Sequence, residues 1–326
     1  MNNNKRVVIT GMGIWSCLGT DLETVKDSLY NGKSGIVFDQ ARKDLGFRSA
    51  LTSYVEKPDL KKLIPRNQRQ FMPEEAQYAY MSTLQALQQA GIDQDFLDAH
   101  EVGLLFGNDS VAQATYQAVS KIYEYKDTAA CGSGSIFQSM NSTVTMNLAT
   151  LFRLRGINLT TSGACASGSH ALGLAWLLIK DGLQDCIVAG GAQEVNLECV
   201  GSFDGIQAFS TREDEPTKAS RPFDRDRDGL VPGGGAATLI IESLDHALAR
   251  GAKPIAEIIG WGFSGNGDHI STPNVADPQR SLELAIEHAG VDIHEIGYVN
   301  AHATSTHGSS FEQFSHNFGR PFFAIA

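Results

Sequence analysis

Cysteine is scarce in this chain: five residues among 326, odd in number, scattered, with no Cys-x-x-Cys pair. That excludes a disulfide framework and points to a reducing compartment. No apolar run approaches the length of a bilayer span, and Met1-Asn2-Asn3-Asn4-Lys5-Arg6 leads directly into a strand with no signal peptide. The expectation is a soluble, cytoplasmic protein. Positive charge is also short, with 26 Lys and Arg against 37 Asp and Glu and a formal net charge of −11, which argues against nucleic-acid binding. Proline is sparse at 10 and glycine abundant at 33, as in a tightly turned α/β protein. Pro-rich linkers and short-period repeats are absent.

Two motifs stop short of completion. Gly11-Met12-Gly13 follows a β-branched run at 6–10 but lacks the third glycine of a dinucleotide loop. It reads as a tight turn at a strand end. Asp224-Arg225-Asp226-Arg227-Asp228 has the acid density of a Ca²⁺ loop but no closing glutamate, and Pro232 breaks any following helix. No metal site is expected there.

What is present is a 42% hydrophobic chain, enough for one large core or two fused units. Strands are expected at 6–10, 102–107, 185–191, 237–242, 255–263 and 296–300. Helices are expected from the Asp21 cap to 30, then at 73–90, 140–151, 171–179, 244–250 and 277–289. Residues 33–73 read as an irregular, charge-mixed surface excursion. Strand and helix alternate twice, before and after about residue 250. Such alternation predicts a largely parallel sheet covered by helices.

The stretch around which the chain is organised is Thr160-Thr161-Ser162-Gly163-Ala164-Cys165-Ala166-Ser167-Gly168-Ser169-His170. It places Cys165 where a strand turns into a small-residue apolar helix. A thiol there meets the positive end of the helix dipole and unpaired N–H groups, which favour the nucleophilic thiolate. The Cys165 N–H is also placed to meet an oxyanion forming beside the sulfur. From the residues alone, a small buried hydrophobe is the other reading. His302, in Asn300-Ala301-His302-Ala303-Thr304-Ser305-Thr306, follows a strand end where ligands sit in α/β sheets. It reads either as a hydrogen-bonded structural histidine or as a catalyst.

Gly163-Ala164-Cys165-Ala166-Ser167-Gly168 resembles the nucleophile turn of the β-ketoacyl-ACP synthases, nearest the bacterial type I subgroup. Val7-Val8-Ile9-Thr10-Gly11-Met12-Gly13 is similar to the way many of them begin. The run from Arg221-Pro222-Phe223-Asp224 through Arg227-Asp228-Gly229 to Gly233-Gly234-Gly235-Ala236 matches a further segment, and His302-Ala303-Thr304-Ser305-Thr306 resembles the family's His-x-Thr-x-Thr. The resemblance implies an α/β, thiolase-like fold of duplicated βαβαβ halves in stacked layers, the second half incomplete. The halves would be 1–250, carrying the nucleophile, and 251–326. It implies an acyltransferase that condenses an acyl thioester with malonyl-ACP to give 3-oxoacyl-ACP in fatty-acid biosynthesis, through an acyl-Cys165 intermediate.

By the same resemblance, neutral His302 donates an N–H to the malonyl thioester carbonyl, and Thr304 and Thr306 hydrogen-bond the phosphopantetheine arm. Met140 and Phe203, with Phe209, line an acyl pocket or serve as core packing. No metal or redox cofactor is needed, since phosphopantetheine arrives on the acyl carrier protein. That carrier is acidic, so docking on an acidic chain needs a local basic patch; Lys61, Lys62, Arg66 and Arg69 form the densest early cluster, otherwise a solvated surface. The family is usually homodimeric. After Thr306 the pattern departs: His307-Gly308-Ser309-Ser310 lacks the family's Asp, and the catalytic Lys and second His have no counterpart. The apolar run at 321–326 is expected to be an interior strand, and the expectation is a truncated or altered product. The alternatives are a non-condensing partner subunit, or a form that only acylates its cysteine.

Overall fold

The computed structural model describes residues 4–270 and 274–307. They fall into two compact units. The first comprises residues 4–35, 53–202 and 233–258; the second comprises 36–52, 203–232, 259–270 and 274–307. The expectations for 308–326 lie outside the described residues.

The first unit is built on one six-stranded sheet: β1 (Val7–Ser16), β2 (Gly103–Gly107), β3 (Asn158–Thr161), β4 (Cys186–Gln193), β5 (Gly235–Ser243) and β6 (Ala256–Ile258). The spatial order is β3-β2-β4-β5-β1-β6. The sheet is mixed, not largely parallel. β2 pairs in parallel with β3 and β4, whereas β4–β5, β5–β1 and β1–β6 are antiparallel. A helix precedes or follows each parallel partner and carries the chain back over the sheet. β5 instead returns from the long excursion at 194–234, which imposes no crossover.

Among the described helices that flank this sheet, three position its residues: α1 (Glu74–Ala90), α2 (Thr143–Phe152) and α3 (Ser167–Lys180). Ala79 and Ala86 of α1 and Val144 and Leu148 of α2 share a buried cluster with Leu104 and Phe106 of β2 and Val188 and Ile240. Strand alternation sends Gly107 to the other face, where it meets α3. Residues 53–73 are not a mere surface excursion: Val55, Leu60, Ile64 and Met72 join that cluster. Just before them, Ile36–Phe38 pairs with Leu51–Ser53 in a two-stranded ladder.

Gly11 and Gly13 lie inside β1 and do not form a turn; the strand continues with a register shift between Ile9 and Gly11. Their role is close approach. A Cβ on Gly11 would sit 2.2 Å from the Ala86 carbonyl oxygen, and one on Gly13 1.9 Å from that of Ser82, so α1 packs at backbone distance. The second unit repeats the device. A Cβ on Gly260 would come within 2.7 Å of the Ala285 oxygen, and one on Gly262 within 1.9 Å of the Ser281 oxygen, on the helix Ala276–Ala289. α1 and this helix end alike. Each has a left-handed glycine cap, Gly91 and Gly290, and two residues later an aspartate, Asp93 and Asp292, caps the next turn of helix. The same module thus occurs twice, as the duplicated fold requires. Of the strand expected at 255–263 only Ala256–Ile258 is laddered, and 296–300 is in no ladder. A strand needs a neighbouring strand along its edge, and among the described residues no second sheet forms beside 259–263 or 296–300.

Candidate active site

β3 ends at Thr161 and α3 begins at Ser167, leaving 162–166 to make the turn that carries Cys165. Two side chains hold this turn. Ser167, only 5% exposed, accepts the Gly163 N–H at 2.9 Å and donates to the Ala164 carbonyl at 2.7 Å. Asp109 Oδ1 accepts the Ser162 hydroxyl at 2.9 Å and the Ala164 N–H at 2.8 Å. Thr161 Oγ1 donates to the Ser167 carbonyl at 2.8 Å. Ala164 adopts φ +50°, the left-handed region that a side chain resists. α3 itself can begin this close to β2 because residue 107 is glycine: a Cβ there would lie 2.4 Å from the Gly168 nitrogen.

Cys165 is exposed, the only one of the five cysteines so placed. It opens into a cleft of about 460 Å³, lined by Asp109, Ser167, Gly191, Gln193 and the Gly233-Gly234-Gly235 run. The buried-hydrophobe reading therefore does not describe this residue. It does describe Cys186, which burial pushes well above the usual thiol range. Burial, with nearby Glu194, pushes Cys199 up to about 12. Ser167→Ala leaves the Gly163 N–H and Ala164 carbonyl without their side-chain partner. We expect a loss of about 1–2 kcal/mol in urea denaturation, together with slower modification of Cys165.

His302 belongs to the second unit and is exposed. Its segment is clamped from the Arg221–Gly229 stretch, where arginine backbone and side chain do the holding. The Ser305 hydroxyl accepts the Arg221 N–H at 3.0 Å, and the Ser305 carbonyl accepts the Gly229 N–H at 3.1 Å. Buried Arg227 donates to the carbonyls of Thr306, His307 and Asp224 at 3.0, 3.3 and 2.9 Å. Ala303 and Ser305, at φ +33° and +67°, flank Thr304, whose hydroxyl lies 3.0 Å from that of Thr306. Asp228 meets the Ser210 hydroxyl and the Thr211 N–H, so this acid serves loop closure. Among the described residues no three His, Cys, Asp or Glu side chains converge as a metal-ligand set.

Met140 is 38% exposed and does not line the Cys165 cleft. Phe203 is 49% exposed and stacks on buried Phe209 at 6.3 Å between centroids. Lys61, Lys62 and Arg66 are exposed and Arg69 is half-buried. Lys57, Lys61 and Arg69 line a cavity of about 470 Å³. Asp109 carries no motif signal, and the motifs that contain Ser167, Ser305 and Arg227 do not reveal them as clamps, because a hydrogen bond across the chain has no sequence period.

Residues 4–247 match the family model for the β-ketoacyl synthase N-terminal domain, and residues 255–309 match the one for its C-terminal domain. The chain belongs to the β-ketoacyl synthase family. It is 38% identical over 304 residues to 3-oxoacyl-[acyl-carrier-protein] synthase 1 of Haemophilus influenzae, covering 93% of this chain and 74% of that one. Among solved structures, a β-ketoacyl synthase from Burkholderia phymatum superposes with a TM-score of 0.91 at 35% identity, covering 97% of this chain and 78% of that one. A type II PKS acyl-carrier protein in complex with its ketosynthase gives 0.83 at 25% identity, covering 95% of this chain and 76% of that one. The fold is accordingly the thiolase-like fold of ketosynthases, and within it the Cys165 turn is the candidate nucleophile site.

Proposed function

We propose that this β-ketoacyl synthase condenses an acyl thioester with malonyl-ACP, forming 3-oxoacyl-ACP for fatty-acid synthesis. The observation that carries this reading is the exposed sulfur of Cys165, set at the head of α3 in an open cleft with its turn tied down. The Cys165 thiolate attacks the acyl carbonyl, an S–C bond forms, and the carrier's thiol leaves with a proton. The Cys165 N–H faces the developing oxyanion. Malonyl-ACP then loses CO₂, its enolate held by an N–H from His302. The resulting carbanion displaces Cys165 from the acyl group. Thr304 and Thr306 hold the phosphopantetheine arm, and Phe203 contacts the acyl chain. No cofactor beyond that arm takes part.

The carrier docks at Lys61, Lys62, Arg66 and Arg69. None of these cations is ion-paired among the described residues, so their field is available to an acidic partner. The chain works in the cytoplasm as a homodimer. Among the described residues the outer edge of β3 is unpaired in the sheet, and its Leu159 is 43% exposed; sedimentation at micromolar concentration reads the stoichiometry. No helix among the described residues is long and apolar enough to cross a membrane.

Intact-mass analysis after incubation with decanoyl-ACP tests the reading. The expected result is one acyl increment on the wild-type chain, none on Cys165→Ala, and release of CO₂ when malonyl-ACP is added. An unmodified wild-type chain refutes it.

A further inference from the structure

Asp109 is a carboxylate in the wall of the nucleophile cleft, contributed by the segment just past β2. Its Oδ1 receives two hydrogen bonds, both from the turn before Cys165. The backbone of this segment is fixed in turn, with the Asp109 carbonyl accepting the Asn141 amide at 2.7 Å.

The consequence runs through one peptide plane. The Ala164 carbonyl and the Cys165 N–H belong to the same planar trans unit and point in opposite directions. The carbonyl is taken by the Ser167 hydroxyl at 2.7 Å and the Ser167 N–H at 3.1 Å. The Cys165 N–H is therefore turned away from α3, and none of these bonds uses it. The plane swings if Ala164 leaves φ +50°, a left-handed conformation that a residue with a side chain resists. What pins that torsion from its other side is the bond from the Ala164 N–H to Asp109.

We propose that Asp109 is a positioning residue that holds the Cys165 N–H on the oxyanion of the attacking step. This rests on the acyl-enzyme reading above. Asp109 touches neither substrate nor sulfur in this role; it acts through Ala164.

Two reactions at the same sulfur separate aim from access. With S-hexanoyl-N-acetylcysteamine, the Sγ–C bond forms through a tetrahedral oxyanion, and N-acetylcysteamine leaves as the thiol with the proton lost from Cys165. With iodoacetamide, the Sγ–C bond forms as C–I breaks and iodide leaves, the thiol proton passes to buffer, and no oxyanion arises. At saturating donor, Asp109→Ala is expected to slow acylation about ten- to thirty-fold, with alkylation within about twofold of wild type. Asp109→Asn keeps an oxygen acceptor and restores acylation to within about threefold. Equal acylation in wild type and Asp109→Ala overturns the proposal alone. So does a parallel fall in both reactions, which marks a misfolded turn. Asparagine failing as badly as alanine also overturns it, since charge and not the acceptor would then be at work. A wild-type chain that takes no hexanoyl group removes both the proposal and the reading beneath it, while alkylation still reports the thiol.

Discussion

Arg250→Met is expected to lower stability by about 3–5 kcal/mol at pH 7, read by urea denaturation. Glu242 on β5 is fully buried. Arg250 meets it with two hydrogen bonds, Nε to Oε2 at 2.8 Å and Nη2 to Oε1 at 2.5 Å. His246 Nδ1 adds one at 2.6 Å, and Thr10 adds another. Arg250 also donates to the carbonyl of Ala90 at 2.8 Å, closing the end of α1. Burial alone would raise the carboxyl of Glu242. The bonds from Arg250, His246 and Thr10 outweigh it and hold the group at about 2, against an ordinary 4.5. The unfolded chain therefore takes up a proton that the folded chain refuses between those values. The contribution, roughly 3 kcal/mol, is complete above pH 4.5 and fades as pH falls toward 2. Methionine fills the volume of arginine but leaves the carboxylate buried without its main partner. Burial then dominates, and the group's pH dependence changes sign, with stability falling as pH rises above 4.5. A variant within about 1 kcal/mol of wild type, or one keeping the wild-type acid limb, would contradict this account.

That network is a measure of what a linear reading can reach. The helix 73–90, its proline-led start and its Gly91 stop are visible because they depend on neighbours in sequence. The Cys165 turn and the His302 segment are visible because each is a compact run of distinctive residues. Strand direction is different. Nothing within Gly235–Ser243 states that it lies antiparallel to Cys186–Gln193; the excursion before it decides. Gly11 and Gly13 look like a turn because glycine usually punctuates, and only the carbonyls of Ser82 and Ala86 overhead explain them. A trace of this was legible, since Gly260-Trp261-Gly262 and Ala289-Gly290-Val291-Asp292 echo Gly11-Met12-Gly13 and Ala90-Gly91-Ile92-Asp93. The clamps at Asp109, Ser167 and Arg227 are single polar residues whose partners are chosen by the fold. Glu75 was the least legible of all. In sequence it is an acid in a first helical turn, where exposed acids are usual.

Glu75→Gln is expected to stabilise the protein increasingly from pH 4.5 to about 8, reaching roughly 3–5 kcal/mol. Glu75 is fully buried in α1, and neither carboxyl oxygen has a hydrogen-bond partner among the described residues. Its charged neighbours are carboxylates. Glu194 is itself buried and engaged with the Ala112 N–H and the Asn196 amide, and Glu74 is bonded to Tyr78 and Asn196. Burial first, then repulsion from Glu194, pushes Glu75 up to about 8. The folded chain thus keeps a proton that the unfolded chain releases near 4.5, so stability declines with rising pH across that interval and levels off above it. Glutamine matches the neutral acid in size and does not titrate. Wild type and variant should therefore coincide near pH 4.5 and diverge steadily to about pH 8, with the variant the more stable. The difference between two urea-denaturation series isolates this one group, since every other titrating residue is common to both. Parallel curves would mean that Glu75 is ionised and solvated in the folded chain, which its burial forbids.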